Sequence, residues 1–446
     1  MGTVASEPSG SPAGPLTTGS EHQAELGASL GSATAGGGPQ RFSRRFRRLW
    51  VTFGVASLGD GFIAGAVPLL AVVVDPRPFA VSAVVAANSV PWLLMALHAG
   101  AIADRFERAR VMAVSNLARA LVLVAMTAVV VTHHASYLLL VLFVLANAAA
   151  RAVYYSASQA AMTELVDATR FNRANGVLYG TEAATEDLAG PALGTVAFAA
   201  VQSIPFLVDA IAMLTSGLSL LGLRTARPDR VARNHQLSEG IRYVIANREI
   251  RLLVYLIASL AGLQGLVSGV LVLIATRDWH VSTSGYGAFL ATQAAGLMVG
   301  AFLADRVARR MGSVAALISC AGVSGLAYLA MGAAGYWLLA GGAFVFVGLA
   351  IGVGNPIAIS LRQRLTPPEL MGRVGSAWRG IVWGAAPTGA LVAGGLAVVG
   401  GLRLPVFLAG GAQCVVALLL ARPMVKRLGR AESATPEGAA RRPELS

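Results

Sequence analysis

Between residues 49 and 421 the chain falls into twelve predominantly apolar stretches, each about as long as a helix must be to cross a bilayer. Such a helix takes roughly 20 apolar residues. Glycine/proline clusters and arginines bound the stretches, which run over 49–74, 79–102, 111–132, 137–160, 174–201 and 205–223 in the first half. The second half gives 252–276, 286–303, 313–332, 337–361, 376–399 and 404–421. A soluble fold cannot bury this much: 55% of the residues are hydrophobic and 13% charged, against about a quarter charged in ordinary globular domains. The lipid bilayer is therefore the expected solvent and partner.

The fifth span is the weakest, because it holds Glu182, Glu186 and Asp187. Without it eleven helices remain and the second half inverts. Arginine placement decides between the two through the excess of positive charge on the cytoplasmic side of membrane proteins. With twelve spans and both termini inside, thirty of the thirty-five Lys and Arg fall on the cytoplasmic side. Arg77, Arg277 and Arg403 fall outside, and Arg119 and Arg151 lie within helices. The net charge of +13 is thus a topology signal that can touch anionic headgroups, and nucleic acid is not an expected partner. The single lysine among so many arginines points to a high-GC bacterial genome, hence to a bacterial cytoplasmic membrane.

Residues 1–40, rich in Gly, Ser, Ala, Pro and Thr, read as a disordered cytoplasmic tail rather than a signal peptide. The remaining divisions are a six-helix bundle over 41–223, a cytoplasmic linker over 224–250 and a second six-helix bundle over 251–421. A second tail covers 422–446. The linker carries an amphipathic piece around 237–250. Cys320 and Cys414 sit in apolar runs and read as packing residues.

One charged phrase is written twice. "GAIADRFERARVM" at 100–112, after the second span, is echoed by "AFLADRVARRMG" at 301–312, after the eighth. A second pair, "LVDATRFNRANGVLYG" at 165–180 and "LTPPELMGRVGSAWRG" at 365–380, matches at Leu165/Leu365, Arg173/Arg373 and Gly180/Gly380. Six helices per copy is an even number, so both copies insert the same way up, a parallel repeat about an axis along the membrane normal. In these residues the chain resembles the major facilitator superfamily, whose signature after helix two reads roughly G-x-L-A-D-R-x-G-R-[KR]. Gly100, Ala103, Asp104, Arg105 and Arg108 match it, while Glu107 and Ala109 depart from it. The second copy keeps Ala304, Asp305, Arg306, Arg309 and Arg310. "RQRLTPPELMGRV" at 362–374 and "RANG…GPALG" at 173–194 look like the enterobactin-exporter and macrolide-efflux branch. The resemblance implies an all-α polytopic membrane protein of twelve helices in two pseudo-symmetric six-helix bundles.

The resemblance also implies a cytoplasmic latch built from Gly100, Asp104, Arg105, Arg108, Asp305 and Arg306. Asp104 would face the N-terminus of the eleventh helix, where the helix dipole favours an anion. Arg105 and Arg108 would pair with acids or with carbonyls at helix ends. The plain alternative is that the arginines only set topology, and it is preferred for Arg110, Arg309 and Arg310.

A charge at mid-bilayer costs around 2.5–3.5 kcal/mol on insertion scales and is a functional candidate by default. The first half holds seven: Asp60, Arg119, Arg151, Glu182, Glu186, Asp187 and Asp209. The helices assigned to the second half are read as holding none. By helical rise Asp60 and Arg151 both reach the midplane, and in the resembled family helices one and four line the cavity. Asp60 is expected to pair with Arg151 and to exchange a proton for substrate, a static ion pair being the alternative. Glu182 and Glu186 share one helix face and are the other proton-coupling candidates, binding of a cationic cargo and interfacial acids on a helix that starts late being the alternatives. Arg119 is expected to brace the bundle and Asp209 to be structural. Gly190, Pro191 and Gly194 in "GPALG" are expected to let the fifth helix bend and pack closely. Tyr154, Tyr155, Gln293 and Asn355 are the substrate-contact candidates, buried amides needing partners.

The expected function is a secondary active exporter of a small amphipathic organic compound, driven by protons as the coupling ion and acting as a monomer. No phosphate-binding G-x-x-x-x-G-K-[ST] loop occurs, and no cofactor or metal is expected. A siderophore or lysophospholipid transporter of the same fold, and a non-transporting scaffold or regulator, are the rivals. An enzyme is disfavoured, as no nucleophile–base set is present.

Overall fold

In the computed structural model, residues 42–166, 170–223, 225 and 237–433 are described; along 93–105 and 429–433, and at Thr163, Asn172, Leu237, Ser238 and Pro368, the backbone alone is described. The tail expected at 1–40 and most of the 224–236 stretch lie outside the described residues. The first half contains α1 (Arg44–Val74), α2 (Pro78–Arg105), α3 (Arg108–Val131), α4 (Tyr137–Leu165), α5 (Phe171–Glu182), a π-helical segment (Ala183–Ala189), α6 (Gly190–Ala200) and α7 (Ile204–Leu221). A short α8 (Leu237–Ala246) precedes α9 (Arg248–Arg277), α10 (Gly285–Met311), α11 (Ser313–Ala333), α12 (Trp337–Leu365), α13 (Met371–Gly400) and α14 (Arg403–Ser433).

The fold is an all-α polytopic membrane protein. In lipid every backbone polar group must find its partner inside the protein, and a helix does this without help. Ten helices are long and apolar enough to cross a membrane among the described residues. The other two expected spans coincide with α2 and with the run α5–π–α6. The amphipathic linker piece is α8, fixed by Glu239 to Arg373 of α13 at 2.6 Å and by the Tyr243 hydroxyl donating to the Leu365 carbonyl.

Successive spans alternate in direction, giving a basal face, where α1 starts, and an apical face, where it ends. The two halves are joined towards the apical face. One continuous apolar core there includes Ile63, Leu70 and Val84 of the first half and Val270, Ile274 and Tyr286 of the second. Ser82 Oγ donates to the Gly269 carbonyl at 2.8 Å, Thr195 Oγ1 to the Ser284 carbonyl, and Arg277 to the Pro76 carbonyl at 2.7 Å. These contacts close the fold apically. The basal core, from Val244 to Leu428, draws on the second half alone.

The fifth span departs from the expected continuous α-helix. Its π segment covers Ala183–Ala189 and carries Glu186 and Asp187. The cause lies two residues on: Pro191 has no N–H and its ring crowds the carbonyl four residues back, that of Asp187. The wide turn absorbs this conflict, and such turns occur most often at functional sites. Immediately after it, α6 crosses α1 at backbone contact. A Cβ added to Gly61 would lie 2.7 Å from the Gly190 Cα, and one added to Gly194 would lie 2.5 Å from the Phe62 carbonyl oxygen.

This crossing leaves no room for a side chain. Gly61→Val is expected to lower the melting temperature in detergent, overpacking costing about 1–3 kcal/mol. Gly176→Ala, which meets open space, should be neutral or slightly stabilising through helix propensity. Equal melting temperatures for the two variants would remove the close crossing.

Candidate functional site

Between the halves lies a cavity with three adjoining lobes. The largest, about 470 Å3, is lined by Asn88 and Ser89 of α2, Gln264 and Ser268 of α9, Asn355 of α12 and Trp383 of α13, among others. A second, about 280 Å3, shares Asn88, Gln264, Ser268 and Tyr328 with it and adds Asp60, Arg151 and Gln293. The third, about 310 Å3, is bounded by Trp92, Tyr155, Arg151, Glu182 and Trp383. Volume and lining suit a small amphipathic molecule: mostly apolar walls with a few convergent polar groups.

The charged groups form a chain along the first half's wall. Arg119 of α3 is fully buried and donates from Nη2 to Asp60 Oδ1 and from Nε to Asn147 Oδ1 at 3.0 Å. Arg151 of α4 reaches Asp60 Oδ2 at 3.5 Å and makes a tighter pair with Glu186 of the π segment. Asp60 thus meets Arg151 as expected, but Arg119 is its closer partner. The sequence could not rank the two because both arginines lie near mid-span. Arg119, expected only as a brace, is the cation most removed from water and needs a carboxylate most. The guanidinium of Arg151 also lies 5.8 Å from the centre of the Trp92 ring, a cation–π contact.

Asp209 of α7 is wholly buried. Neither of its carboxyl oxygens has a hydrogen-bond partner, and one of them occupies the space where Gly59 would carry a Cβ. It lines none of the three lobes.

Aromatic rings close the cavity between the halves. Trp92 of α2 meets Tyr155 edge-on at 5.6 Å and Trp383 of α13 edge-on at 5.2 Å. Of the expected substrate-contact residues, Tyr155, Gln293 and Asn355 line lobes. Tyr154 does not; it is 4% exposed and turns into the first half's interior. Its neighbour Tyr155 takes the cavity face because residues one apart on a helix do not share a face. Sequence reasoning missed Asn88, Ser89 and Trp92. The signal available was polar and indole groups inside an otherwise apolar span.

The expected latch is described in part. The side chains of Gly100, Asp104 and Arg105 lie outside the described residues. Arg108 donates to the Ala160 carbonyl at 2.9 Å and reaches Glu164 at 3.4 Å, both on α4 of its own half. Asp305 is exposed and pairs with Arg309 on its own helix, and Arg306 is exposed. Gly190, Pro191 and Gly194 are buried at the α1 crossing.

The second half is not free of embedded charge, contrary to the sequence reading. Arg379 lies two turns inside α13, within the span expected at 376–399, and Arg362 lies in the last turn of α12. Their closeness to the arginine-rich end hid them among the topology charges. No group of His, Cys, Asp and Glu able to hold a metal occurs among the described residues.

The model of the Major Facilitator Superfamily matches residues 49–386 and, in a second match, 263–445. No curated protein matches the chain in sequence. Among solved structures, a mutant of the nucleoside transporter NupG is 12% identical, with a TM-score of 0.68 over 84% of this chain and 99% of that one. A bacterial homologue of the iron transporter ferroportin, in its inward-facing state, is 15% identical, with a TM-score of 0.67 over 86% and 100%. A bacterial homologue of the human lysosomal transporter Spinster, inward-facing and occupied, is 13% identical, with a TM-score of 0.65 over 90% and 98%. At these identities the likeness is one of fold, and it selects no exporter branch.

The ion-pair chain predicts a specific pattern of stability. Arg119→Met leaves Asp60 with Arg151 as its remaining cation, and breaking a buried pair from one side costs about 3–5 kcal/mol. The melting temperature should fall sharply in Arg119→Met and recover largely in Asp60→Asn/Arg119→Met. Additive losses in the double variant would mean that the pair is not coupled.

Proposed function

Because the chain belongs to the Major Facilitator Superfamily, we propose that this multi-pass membrane transporter is a secondary active exporter of a small amphipathic organic compound, coupled to protons. Asp60 and Arg151 line the cavity while tied to Arg119 and Glu186. That observation carries the reading: a carboxylate facing both cargo space and two arginines can change partners when it takes up a proton. Burial of so many charges is costly, and a scaffold has little use for them. The wall residues Tyr155, Trp92 and Trp383 suit the apolar body of such a cargo.

In this reading the basal face is cytoplasmic, in a bacterial cell membrane, with both termini inside, and the apically closed form is inward-facing. Protons moving inward supply about 2.3 kcal/mol per charge per 100 mV. The protein acts as a monomer in two bundles, 41–223 and 251–421, joined by the 224–250 linker. Asp104, Arg105, Arg108, Asp305 and Arg306 belong to the contacts that would close the basal side in the alternate state. Glu182 faces the cavity and with Glu186 offers a second stop for a proton or for a cationic group of the cargo. Siderophore and lysophospholipid cargoes are the alternatives of the same fold, and a scaffold or regulator that moves nothing is the remaining one.

The reading is tested with proteoliposomes that enclose a pH-sensitive dye, adding lipophilic cations, macrolides and catecholate siderophores outside. Wild type should alkalinise the lumen as one class of compound enters and protons leave, and Asp60→Asn should not. Cargo movement without any proton signal in wild type removes proton coupling. Equal signals in wild type and variant reassign the coupling away from Asp60.

A further inference from the structure

The two walls of the cavity treat their charges differently. On the first half's wall Arg119 and Arg151 are answered by Asp60 and Glu186. On the second half's wall stand Arg362 and Arg379, and among the described residues neither pairs with a carboxylate. Neither lines one of the three lobes, but each lies nearer the basal end on a helix face that lines them. Arg362 is seven residues beyond Asn355, two turns along the same face of α12. Arg379 is four residues before Trp383 and seven before Ala386, on the face of α13 that those two present to the cavity. Arg379 sits about 12 Å into its helix from the basal end by helical rise, deeper than a charge that only sets topology needs to be.

Arg362 is half-buried and Arg379 exposed. The Arg362 guanidinium lies 5.3 Å from the centre of the Trp378 ring, and its buried Nε has no hydrogen-bond partner. Arg379 makes one long bond to Ser376 Oγ, 3.4 Å. Trp378 directly precedes Arg379 in α13, so the Arg362 stacking contact brings the two arginines to the same basal corner of α12 and α13. Two other arginines at this end have acids: Arg309 has Asp305 and Arg373 has Glu239. Two neighbouring guanidiniums without a carboxylate, on the basal side of the cavity, can hold an oxyanion, which accepts several charge-assisted hydrogen bonds from the planar forks.

We infer that Arg362 and Arg379 form an anion-binding subsite at the basal mouth of the cavity, which receives the carboxylate or phosphate of an amphipathic cargo. The inference rests on the transporter reading for the word cargo alone. It gives that cargo a polarity: its anionic end lies against α12 and α13, and its apolar body runs past Trp383 towards Trp92. A cationic group at the other end would meet Glu182.

The test uses the full chain in an uncharged detergent and reads intrinsic tryptophan fluorescence, Trp378 and Trp383 being at the site. Decyl phosphate, decylphosphocholine and decyltrimethylammonium are titrated into wild type, Arg362→Gln and Arg379→Gln, with melting temperatures checking that each variant folds. Decyl phosphate affinity should fall about tenfold in either variant, equivalent to about 1.4 kcal/mol, while decyltrimethylammonium is unchanged. If Arg362→Gln unfolds through loss of its Trp378 contact, Arg379→Gln carries the test. A folded Arg379→Gln that binds decyl phosphate as wild type does overturns the subsite.

Two competition arms name the source of the anion. Displacement of decyl phosphate by inorganic phosphate upholds the site and makes the bare anion sufficient. Displacement in nanodiscs by phosphatidylglycerol, and not by phosphatidylcholine, upholds it for a lipid headgroup and overturns its assignment to a soluble cargo. The dye-loaded proteoliposomes separate the two readings. Proton movement with unaltered anion binding in the variants sinks the subsite alone, and arginine-dependent binding without cargo movement sinks transport alone.

Discussion

A charge inside a bilayer has to be answered by another charge or reach water, and this constraint organises the first half of the molecule. Arg119 is wholly buried, so Asp60 must lie against it. Asp60 therefore fixes the rotation of α1 against α3, and its second oxygen fixes Arg151 of α4. Arg151 in turn holds Glu186, whose position depends on the π segment. Four spans are thus registered by one chain of alternating sign. Apolar contacts alone are weak at specifying register in a membrane, because lipid tails are as apolar as leucine.

The same chain explains why the fifth span cannot be an uninterrupted helix. Pro191 and Gly190 allow α6 to touch α1 at Gly61, and the wide turn before them aims Glu186 at Arg151. Packing and electrostatics are solved by neighbouring residues of one segment. Glu182, one turn earlier, opens onto the cavity. The segment that is least like a membrane helix in composition is the one whose side chains connect the buried network to the cargo space.

The span count, the repeat and the mid-membrane charges were legible in the sequence, because length, period and polarity are one-dimensional signals. That Asp60 and Arg151 approach each other followed from helical rise together with what the resemblance implies, that helices one and four line the cavity. Two things were not legible. Which arginine is nearer to Asp60 depends on the rotation of α3, and a span with an arginine at mid-depth does not state which way it turns. The roles of Arg362 and Arg379 were hidden for another reason. Within a turn or two of the arginine-rich end, a residue that faces a cavity and one that faces cytoplasm have the same sequence context. Tyr154 and Tyr155 show the same limit on a smaller scale: adjacent aromatics point about 100° apart, and the sequence does not say which one meets the cavity.

The apical closure gives these charges a direction. Ser82–Gly269, Thr195–Ser284 and Arg277–Pro76 contacts tie the halves at one end, and the apolar core shared by both halves lies at that end too. For the apical face to open, these contacts must break and others of similar worth must form basally, since a two-state element moves only as far as its contacts differ between the states. The basal ends of α12 and α13 would then approach the first half's wall, carrying Arg362 and Arg379 towards Tyr155 and Glu182. An unanswered pair of guanidiniums favours that approach to the acidic wall. An anion already held between them weakens that attraction, whereas a cation held at Glu182 removes its target. Protonation of the wall carboxylates acts in the same sense as a bound cation. In the proposed exchange, proton and cargo would therefore compete for one electrostatic quantity, the net charge between the walls.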